Sequence, residues 1–150
     1  MSDSHEAIRR LMYEYAECVD LAKFEELGQL FAHGRIGDGK QWMTKPEQVV
    51  KHYSTTNKVH ANGTLCTRHL ATNTIIDVDE DAGTASSRSY YVVLQATDQL
   101  PFQPIVGGRY HDEFERVDGK WRFAERIVIV DQIGNMSEHL SIDLRTHDFG

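Results

Sequence analysis

The first third of the chain carries apolar residues at helical spacing. Between residues 7 and 19 they recur every three or four positions, as on one face of an amphipathic helix. These residues are Ile8, Leu11, Met12, Tyr15, Ala16 and Val19. A shorter stripe over residues 24–31 predicts a second helix, and Pro46 predicts the start of a third. The glycine-rich stretch over residues 34–39, between the second and third predicted helices, leaves room for a short strand ending near Trp42-Met43.

The remaining two-thirds of the chain has the pattern of strands joined by turns. Alternating or β-branched stretches predict four long strands, over residues 67–79, 84–97, 105–117 and 120–131. Asp118-Gly119 is typical of a two-residue hairpin, and residues 98–104, with two prolines, predict a loop. Because long strands joined by hairpins twist and curl, we expect an α+β fold in one domain, 1–150. We expect the N-terminal helices to pack in the concave face of a strongly curved antiparallel sheet, which has the shape of a cone or barrel.

Composition narrows the possible partners. Asp and Glu number 23 against 16 Lys and Arg, which gives a net charge of −7 with no basic cluster, so we expect no nucleic-acid partner. The longest apolar runs are too short to span a membrane, and the polar, acidic start has no signal-peptide pattern. The two cysteines have no metal-ligand spacing. A reduced, cytoplasmic protein is the expectation.

Two residues from different predicted elements are candidates for acid–base chemistry. His69 shares a strand face with Ala71 and Asn73, and such small or polar neighbours leave room for a ligand. The alternative is a structural histidine bonded to a nearby backbone group. Asp20 follows Tyr15 by five positions, or about 500° of helix rotation, so it turns inward only if the helix ends there. The alternative is a solvated carboxylate at the helix end or a cap of the next helix.

Several of these features resemble those of one known superfamily. They are Tyr15 and Asp20 on and after the first helix, His69 and Asn73 in the segment RHLATN, and the closing hairpin GGRYHDEFERVDGKWRF. Over residues 5–135 the chain resembles the SnoaL-like branch of the NTF2-like, or cystatin-like α+β barrel, superfamily. The hairpin is general to that superfamily and implies the fold rather than a function.

The resemblance also implies a set of site residues. Tyr15, Asp20, His69 and Arg126 are similar to the catalytic tyrosine, aspartate, histidine and arginine of bile acid 7α-dehydratase. Scytalone dehydratase and the lindane dehydrochlorinase share the aspartate–histidine pair, although the dehydrochlorinase has lysine at the place of the tyrosine. A further aspartate of the bile acid enzyme has no counterpart here over residues 84–97.

These side-chain types suit proton abstraction next to a carbonyl group. Imidazole has an ordinary pKa near 6.5 and accepts a proton readily at neutral pH, and a carboxylate bonded to its far nitrogen fixes the tautomer. We therefore expect Asp20 to contact His69, while a tyrosine hydroxyl and an arginine stabilise developing negative charge on oxygen. The predicted function is a dehydratase-like lyase acting on a hydrophobic cyclic or polycyclic carbonyl-type substrate, without metal or organic cofactor. A ketosteroid-isomerase-like or polyketide-cyclase-like enzyme is one alternative. A non-catalytic binding or assembly module, such as the small subunit of a ring-hydroxylating dioxygenase, is another.

The remaining candidates depend on strand alternation. Trp121 and Phe123 share a face, so Arg126 reaches the same side only if a bulge intervenes; otherwise it faces outward and pairs with an acid. Three residues are candidates for contacting the substrate: Tyr110, Asn73 and Phe114. For Tyr110, a cavity wall and plain core fit equally well.

The other seven histidines have no metal-binding spacing and are predicted to lie on the surface. Apolar residues of both parities in Tyr90–Leu94 and Ile127–Val130 indicate strands that are covered on both faces. The sequence therefore predicts a homo-oligomer, with a trimer favoured over a dimer.

Overall fold

The computed structural model describes residues 3–145, which begin with helices. Helix α1 spans Ser4–Asp20, α2 spans Phe24–Leu30 and α3 spans Pro46–Thr56. Asp3 caps α1 by accepting a hydrogen bond from the backbone N–H of His5, which satisfies a donor that the first helical turn leaves free. The predicted helices are confirmed, including the start of α3 at its proline.

Six strands form a single sheet. They are β1 (Arg35–Gly37), β2 (Trp42–Met43), β3 (Thr67–Asp79), β4 (Thr84–Thr97), β5 (Leu100–Val117) and β6 (Lys120–Ile133). The strand order is β2-β1-β6-β5-β4-β3, so the sheet is open and does not close into a barrel. Strand β1 runs parallel to β6, whereas the other neighbours are antiparallel. The sheet is therefore mixed through the short strand β1, and the predicted antiparallel arrangement of the four long strands is confirmed.

The sheet curves around α1. Helix α1 contacts both β3 and β6, although β4 and β5 lie between these two strands. In a flat sheet β3 and β6 would be about 14 Å apart, too far for one helix to pack closely against both. Register shifts between paired strands mark extra residues in β3, β5 and β6, which form bulges that bend these strands. The predicted packing of a helix in a concave sheet face is confirmed.

The predicted loop over residues 98–104 is wrong, because β5 already begins at Leu100. Within the sheet, this end of β5 pairs with β4 alone, since β6 joins only from Val106 onward. Pro101 and Pro104 lack a backbone donor and are tolerated where a strand has one neighbour. Leu100 is buried and anchors the extension to the core.

Apolar side chains remain on the convex outer face of the sheet, in what we call the outer patch: Leu70, Tyr90, Val92 and Ile129. Leu70 lies opposite Val92 across β3 and β4, and Arg109 of β5 joins Tyr90 to Ile129. Tyr90 is 55% exposed. Exposed apolar side chains grouped in this way indicate an interaction surface.

We expect the chain to form a homo-oligomer through the outer patch, with a trimer favoured over a dimer. Light scattering at micromolar concentration measures the mass, and Tyr90→Glu should lower it by placing a charge in the interface. Tyr13→Glu is the matched control, because Tyr13 is 50% exposed on α1, away from the sheet. A monomer mass for the unmodified protein would contradict the prediction.

Candidate active site

Asp20 and His69 are in direct contact. Asp20 is the last residue of α1, and its Oδ1 lies 2.5 Å from Nδ1 of His69 on β3. Oδ2 accepts a hydrogen bond from the backbone N–H of His69 at 2.9 Å, and Oδ1 accepts another from the hydroxyl of Thr67 at 2.7 Å. The predicted contact is present. The alternatives of a solvated carboxylate and of a cap for α2, whose N-cap is Lys23, are wrong. The catalytic roles of the two residues stay a prediction.

The surroundings of Asp20 keep it ionised. Burial alone would raise the pKa of the carboxyl group, but hydrogen bonds and charge attraction from His69, together with the Thr67 hydroxyl, hold it below its ordinary value. An ionised carboxylate accepts its hydrogen bond from Nδ1–H of the imidazole. In the neutral ring Nε2 therefore carries the lone pair, which is the state that a general base requires.

Tyr15 makes a hydrogen bond with a second tyrosine. Its hydroxyl oxygen lies 2.8 Å from that of Tyr53 on α3, and both rings are buried. Burial raises the pKa of both hydroxyls, so both remain protonated at neutral pH. One hydroxyl donates to the other, which leaves one O–H of the pair to donate to a ligand.

The two tyrosines and His69 line one cavity between α1, α3 and the concave sheet face. Its volume is about 70 Å³. Tyr91 and Tyr110 form another part of the wall and stack with their ring centres 4.5 Å apart. Apolar side chains complete the wall, so most of the surface that a ligand inside would contact is apolar.

Gly108 makes room for the stacked tyrosines. A Cβ at this position would lie 2.8 Å from the ring of Tyr91 and 1.9 Å from the carbonyl oxygen of Ile129. Tyr110 lies in the cavity wall and is also buried in the core. Both interpretations of Tyr110 from the sequence, cavity wall and plain core, therefore apply. Its role in binding substrate stays a prediction.

Residues 135–145, here called the C-terminal segment, cover the cavity. Met136, His139 and Leu140 contribute side chains to its wall. The backbone N–H of Lys58 donates to the carbonyl oxygen of His139 at 2.8 Å, and the amide of Gln95 donates to that of Glu138 at 2.9 Å. These bonds attach the segment to β4 and to the chain after α3.

Arg126 lies beneath the cavity rather than on its wall. One extra residue in β6, Ala124, forms a bulge that turns Arg126 to the same side as Phe123, as one interpretation of the sequence required. Its side chain is fully buried and donates two hydrogen bonds to Asp112, at 2.8 and 2.9 Å, so the predicted pairing with an acid is also present. Asp112 raises the pKa of the guanidinium against the opposing effect of burial.

The guanidinium of Arg126 supports two cavity tyrosines from below. Its central carbon lies 3.8 Å from the ring centre of Tyr110 and 4.4 Å from that of Tyr15, within cation–π range. Arg126 is not among the residues that line the cavity. The geometry therefore favours positioning the tyrosines over contacting a substrate directly.

The structure does not bring two of the predicted substrate-contacting residues to the cavity. Asn73 is exposed in a bulge of β3, where its φ of +53° lies in the left-handed region that asparagine tolerates. Phe114 is buried against Phe123, with ring centres 5.0 Å apart, and belongs to the core. Neither side chain lines the cavity.

The prediction that the other histidines lie on the surface is wrong for His139, which is 5% exposed, and His52 also lines the cavity. His147, to which the same prediction applies, lies outside the described residues. Within the described residues, no three His, Cys, Asp or Glu side chains are grouped so that they could hold a metal ion. No helix of this part of the chain is long and apolar enough to cross a membrane.

Comparison with known families agrees with this architecture. A family model described as the SnoaL-like domain matches residues 1–127, most of the chain. The chain belongs to the SnoaL-like family. A comparison of this SnoaL-like chain with curated proteins found no match.

Solved structures share the fold of this SnoaL-like domain. A Nostoc punctiforme protein of unknown function with a cystatin-like fold is 18% identical, with a TM-score of 0.71 over 88% of this chain and 94% of its own. A Novosphingobium aromaticivorans protein assigned as a scytalone dehydratase is 24% identical, with a TM-score of 0.64 over 85% and 84%. From the same organism, the beta subunit assigned to an aromatic-ring-hydroxylating dioxygenase is 19% identical, with a TM-score of 0.67 over 85% and 89%. At these identities the likeness shows the NTF2-like, cystatin-like fold alone, and the resemblance to bile acid 7α-dehydratase stays a prediction.

Tyr53 and His139 are among the cavity residues of this SnoaL-like domain that sequence reasoning did not identify as site residues. Helical spacing after Pro46 puts Tyr53 on the apolar side of α3 and indicates packing only, although a buried tyrosine hydroxyl needs a partner and that of Tyr15 needs one too. His139 follows the last strand in a stretch without helical or strand periodicity, so no pattern in the sequence indicated that it is buried.

Proposed function

We propose that the protein is a cofactor-independent lyase of the dehydratase type, acting on a small cyclic carbonyl compound with a hydroxyl group on the β-carbon. The observation that supports this most is the Asp20–His69 pair beside a partly enclosed, mainly apolar cavity. Asp20 leaves Nε2 of His69 as the basic nitrogen. The hydrogen-bonded hydroxyls of Tyr15 and Tyr53 supply a donor in the same cavity.

The proposed reaction balances without a further reactant. Nε2 of His69 takes a proton from the carbon next to the carbonyl group, and the carbon–hydrogen electron pair becomes part of an enolate. A tyrosine hydroxyl donates to the enolate oxygen, while Asp20 stabilises the imidazolium. As the enolate re-forms the carbonyl, the double bond forms and the β-carbon–oxygen bond breaks. The imidazolium protonates the departing hydroxyl, which leaves as water, and His69 is neutral again.

The size of the cavity restricts the substrate. A volume of about 70 Å³ is well below the roughly 300 to 1,000 Å³ of sites for drug-sized ligands. A single ring is therefore the better fit while the C-terminal segment is in place. A polycyclic substrate requires that segment to move.

An isomerase is the second candidate, and the tyrosine pair is the observation that favours it. Two hydrogen-bonded hydroxyls suit an enolate that persists until the proton returns at another carbon. A non-catalytic assembly role has support from the fold shared with the dioxygenase beta subunit. That role gives no reason for an ionised carboxylate to orient an imidazole beside a cavity.

One experiment separates these functions. The protein is incubated in D₂O with 3-hydroxycyclohexanone and, separately, with cyclohex-3-enone, and products are followed by enone absorbance and by NMR. Water loss from the hydroxyketone with deuterium exchange at its α-carbon supports the lyase. A double-bond shift in the enone without water loss supports the isomerase. If both reactions were absent with these and with larger cyclic ketones, that result would contradict an enzymatic function.

We expect Asp20→Asn to slow the proton transfer about 10²-fold or more, because an amide does not stabilise the imidazolium and can favour the wrong tautomer. The rate of α-proton exchange in D₂O measures the effect. Asp131→Asn is the matched control, since Asp131 pairs with Arg109 on the exposed side of the sheet. Equal exchange rates for Asp20→Asn and the unmodified protein would argue against the proposed role of the pair.

A further inference from the structure

His139 is a second imidazole in the cavity wall, and the reaction proposed above does not use it. It belongs to the C-terminal segment and is 5% exposed. Its Nδ1 is buried and has no hydrogen-bond partner among residues 3–145. A buried polar atom without a partner costs free energy, about 1 to 3 kcal/mol in general, unless something else supplies one. Nδ1 itself has almost no accessible surface, so a ligand oxygen in the cavity that the ring lines would supply the partner after the ring turns about its Cβ–Cγ bond.

The position of His139 is fixed by its backbone. Its N–H donates to the carbonyl oxygen of Met136, and its own carbonyl oxygen accepts from the N–H of Lys58. The ring lies edge to face with that of His69, with centres 6.1 Å apart and planes at 68°. Two imidazoles from different parts of the chain therefore border the same end of the cavity.

The surroundings favour a neutral ring at His139. Burial and the nearby imidazoles of His69 on β3 and His60 after α3 lower its pKa to about 3, against the opposing effect of Asp20 at the end of α1. Neutral imidazole carries one N–H donor and one acceptor nitrogen. It can therefore bind a hydroxyl group in either direction without attracting the proton that His69 handles.

We propose that His139 is a substrate-contacting residue that hydrogen-bonds the oxygen substituent of the ligand next to His69. In the lyase reaction this oxygen is that of the departing hydroxyl, which His69 must reach with its proton. The inference rests on the proposed function for that assignment, but binding of an oxygen at this position does not depend on turnover. The ligand class that follows is a small ring bearing a hydroxyl or carbonyl oxygen at the histidine-lined end, in preference to a plain hydrocarbon ring.

The test compares phenol with toluene, which has a methyl group in place of the hydroxyl. Affinities of the full chain for each probe are measured by NMR titration at neutral pH, with ¹⁵N-labelled histidine to follow the rings of His69 and His139. Phenol should bind more tightly than toluene and shift the ¹⁵N resonances of His139. His139→Leu should weaken phenol binding about two- to tenfold, the range of one neutral hydrogen bond, and change toluene binding less than twofold.

His139→Gln keeps a donor and an acceptor and should retain more phenol affinity than His139→Leu. It also serves as the folded variant if leucine disturbs the C-terminal segment. His111→Leu is the control, because His111 is exposed on the outer side of β5. Equal losses for phenol and toluene, or unchanged ¹⁵N resonances of His139 with phenol bound, would overturn the proposal. Failure of the cyclic ketones to react while these binding results hold would instead refute the lyase and leave the His139 contact standing.

Discussion

Replacing His69 with alanine is expected to lower the rate of α-proton exchange by about 10²- to 10⁴-fold, the usual contribution of a general base. The loss should occur without unfolding. Asp20 keeps its hydrogen bonds from the backbone N–H of residue 69 and from the hydroxyl of Thr67 in the variant. Exchange into the cyclic ketone that the unmodified protein processes fastest is the measurement, with circular dichroism to follow the fold.

His111→Ala provides the matched control for this variant, because it removes an exposed imidazole on the convex side of the sheet. It should exchange at the unmodified rate. If His69→Ala exchanged as fast as this control, the base would have to be another group, and the Asp20 contact would serve only to hold α1 on β3.

Replacing Arg126 with methionine is expected to lower the free energy of unfolding by about 3 to 5 kcal/mol. Both members of the Arg126–Asp112 pair are buried, with no exposed side-chain surface. Removing the cation leaves the carboxylate of Asp112 in the core without its partner, so it must take up a proton or draw in water. Denaturant unfolding followed by tryptophan fluorescence measures the change.

A second substitution tests that explanation. Arg126→Met combined with Asp112→Leu removes both charges and should recover a large part of the loss, because two apolar side chains can replace a buried ion pair. Arg109→Met, which breaks an exposed pair with Asp131, should change stability far less. A stability of Arg126→Met close to that of the unmodified protein would contradict the assigned role of the pair.

Residues at helix and strand ends show what local periodicity predicts and what it does not. The stripe on α1 placed Tyr15 in the core correctly. Helical rotation alone predicts that Asp20 points away from the core. In the structure α1 ends at Asp20, and Ala22 adopts a left-handed φ of +55°. The end of the helix directs the carboxylate to β3. Only the expected pairing with His69 anticipated this, since no local pattern connects positions 49 apart.

Single-residue bulges determine which face of the sheet Asn73 and Arg126 occupy, and strand alternation alone does not predict them. Period-two alternation from His69 places Asn73 on the same face, but the bulge between Thr72 and Ile75 reverses the parity, and Ile76 turns toward the core instead. The bulge at Ala124 has the opposite effect and brings Arg126 inward. A bulge depends on how neighbouring strands pack, so the sequence of one strand does not determine it.

The C-terminal segment would also affect how fast a large ligand reaches His69. If a molecule larger than the cavity is to enter past this segment, the hydrogen bonds at Lys58 and Gln95 have to open first, and this opening step would then limit association. The observed binding rate would then reach a ceiling with increasing ligand concentration instead of rising in proportion to it. The apparent affinity would be reduced by the fraction of molecules that are closed. Substitutions that loosen the segment would therefore tighten the apparent binding of large ligands while leaving Asp20 and His69 untouched.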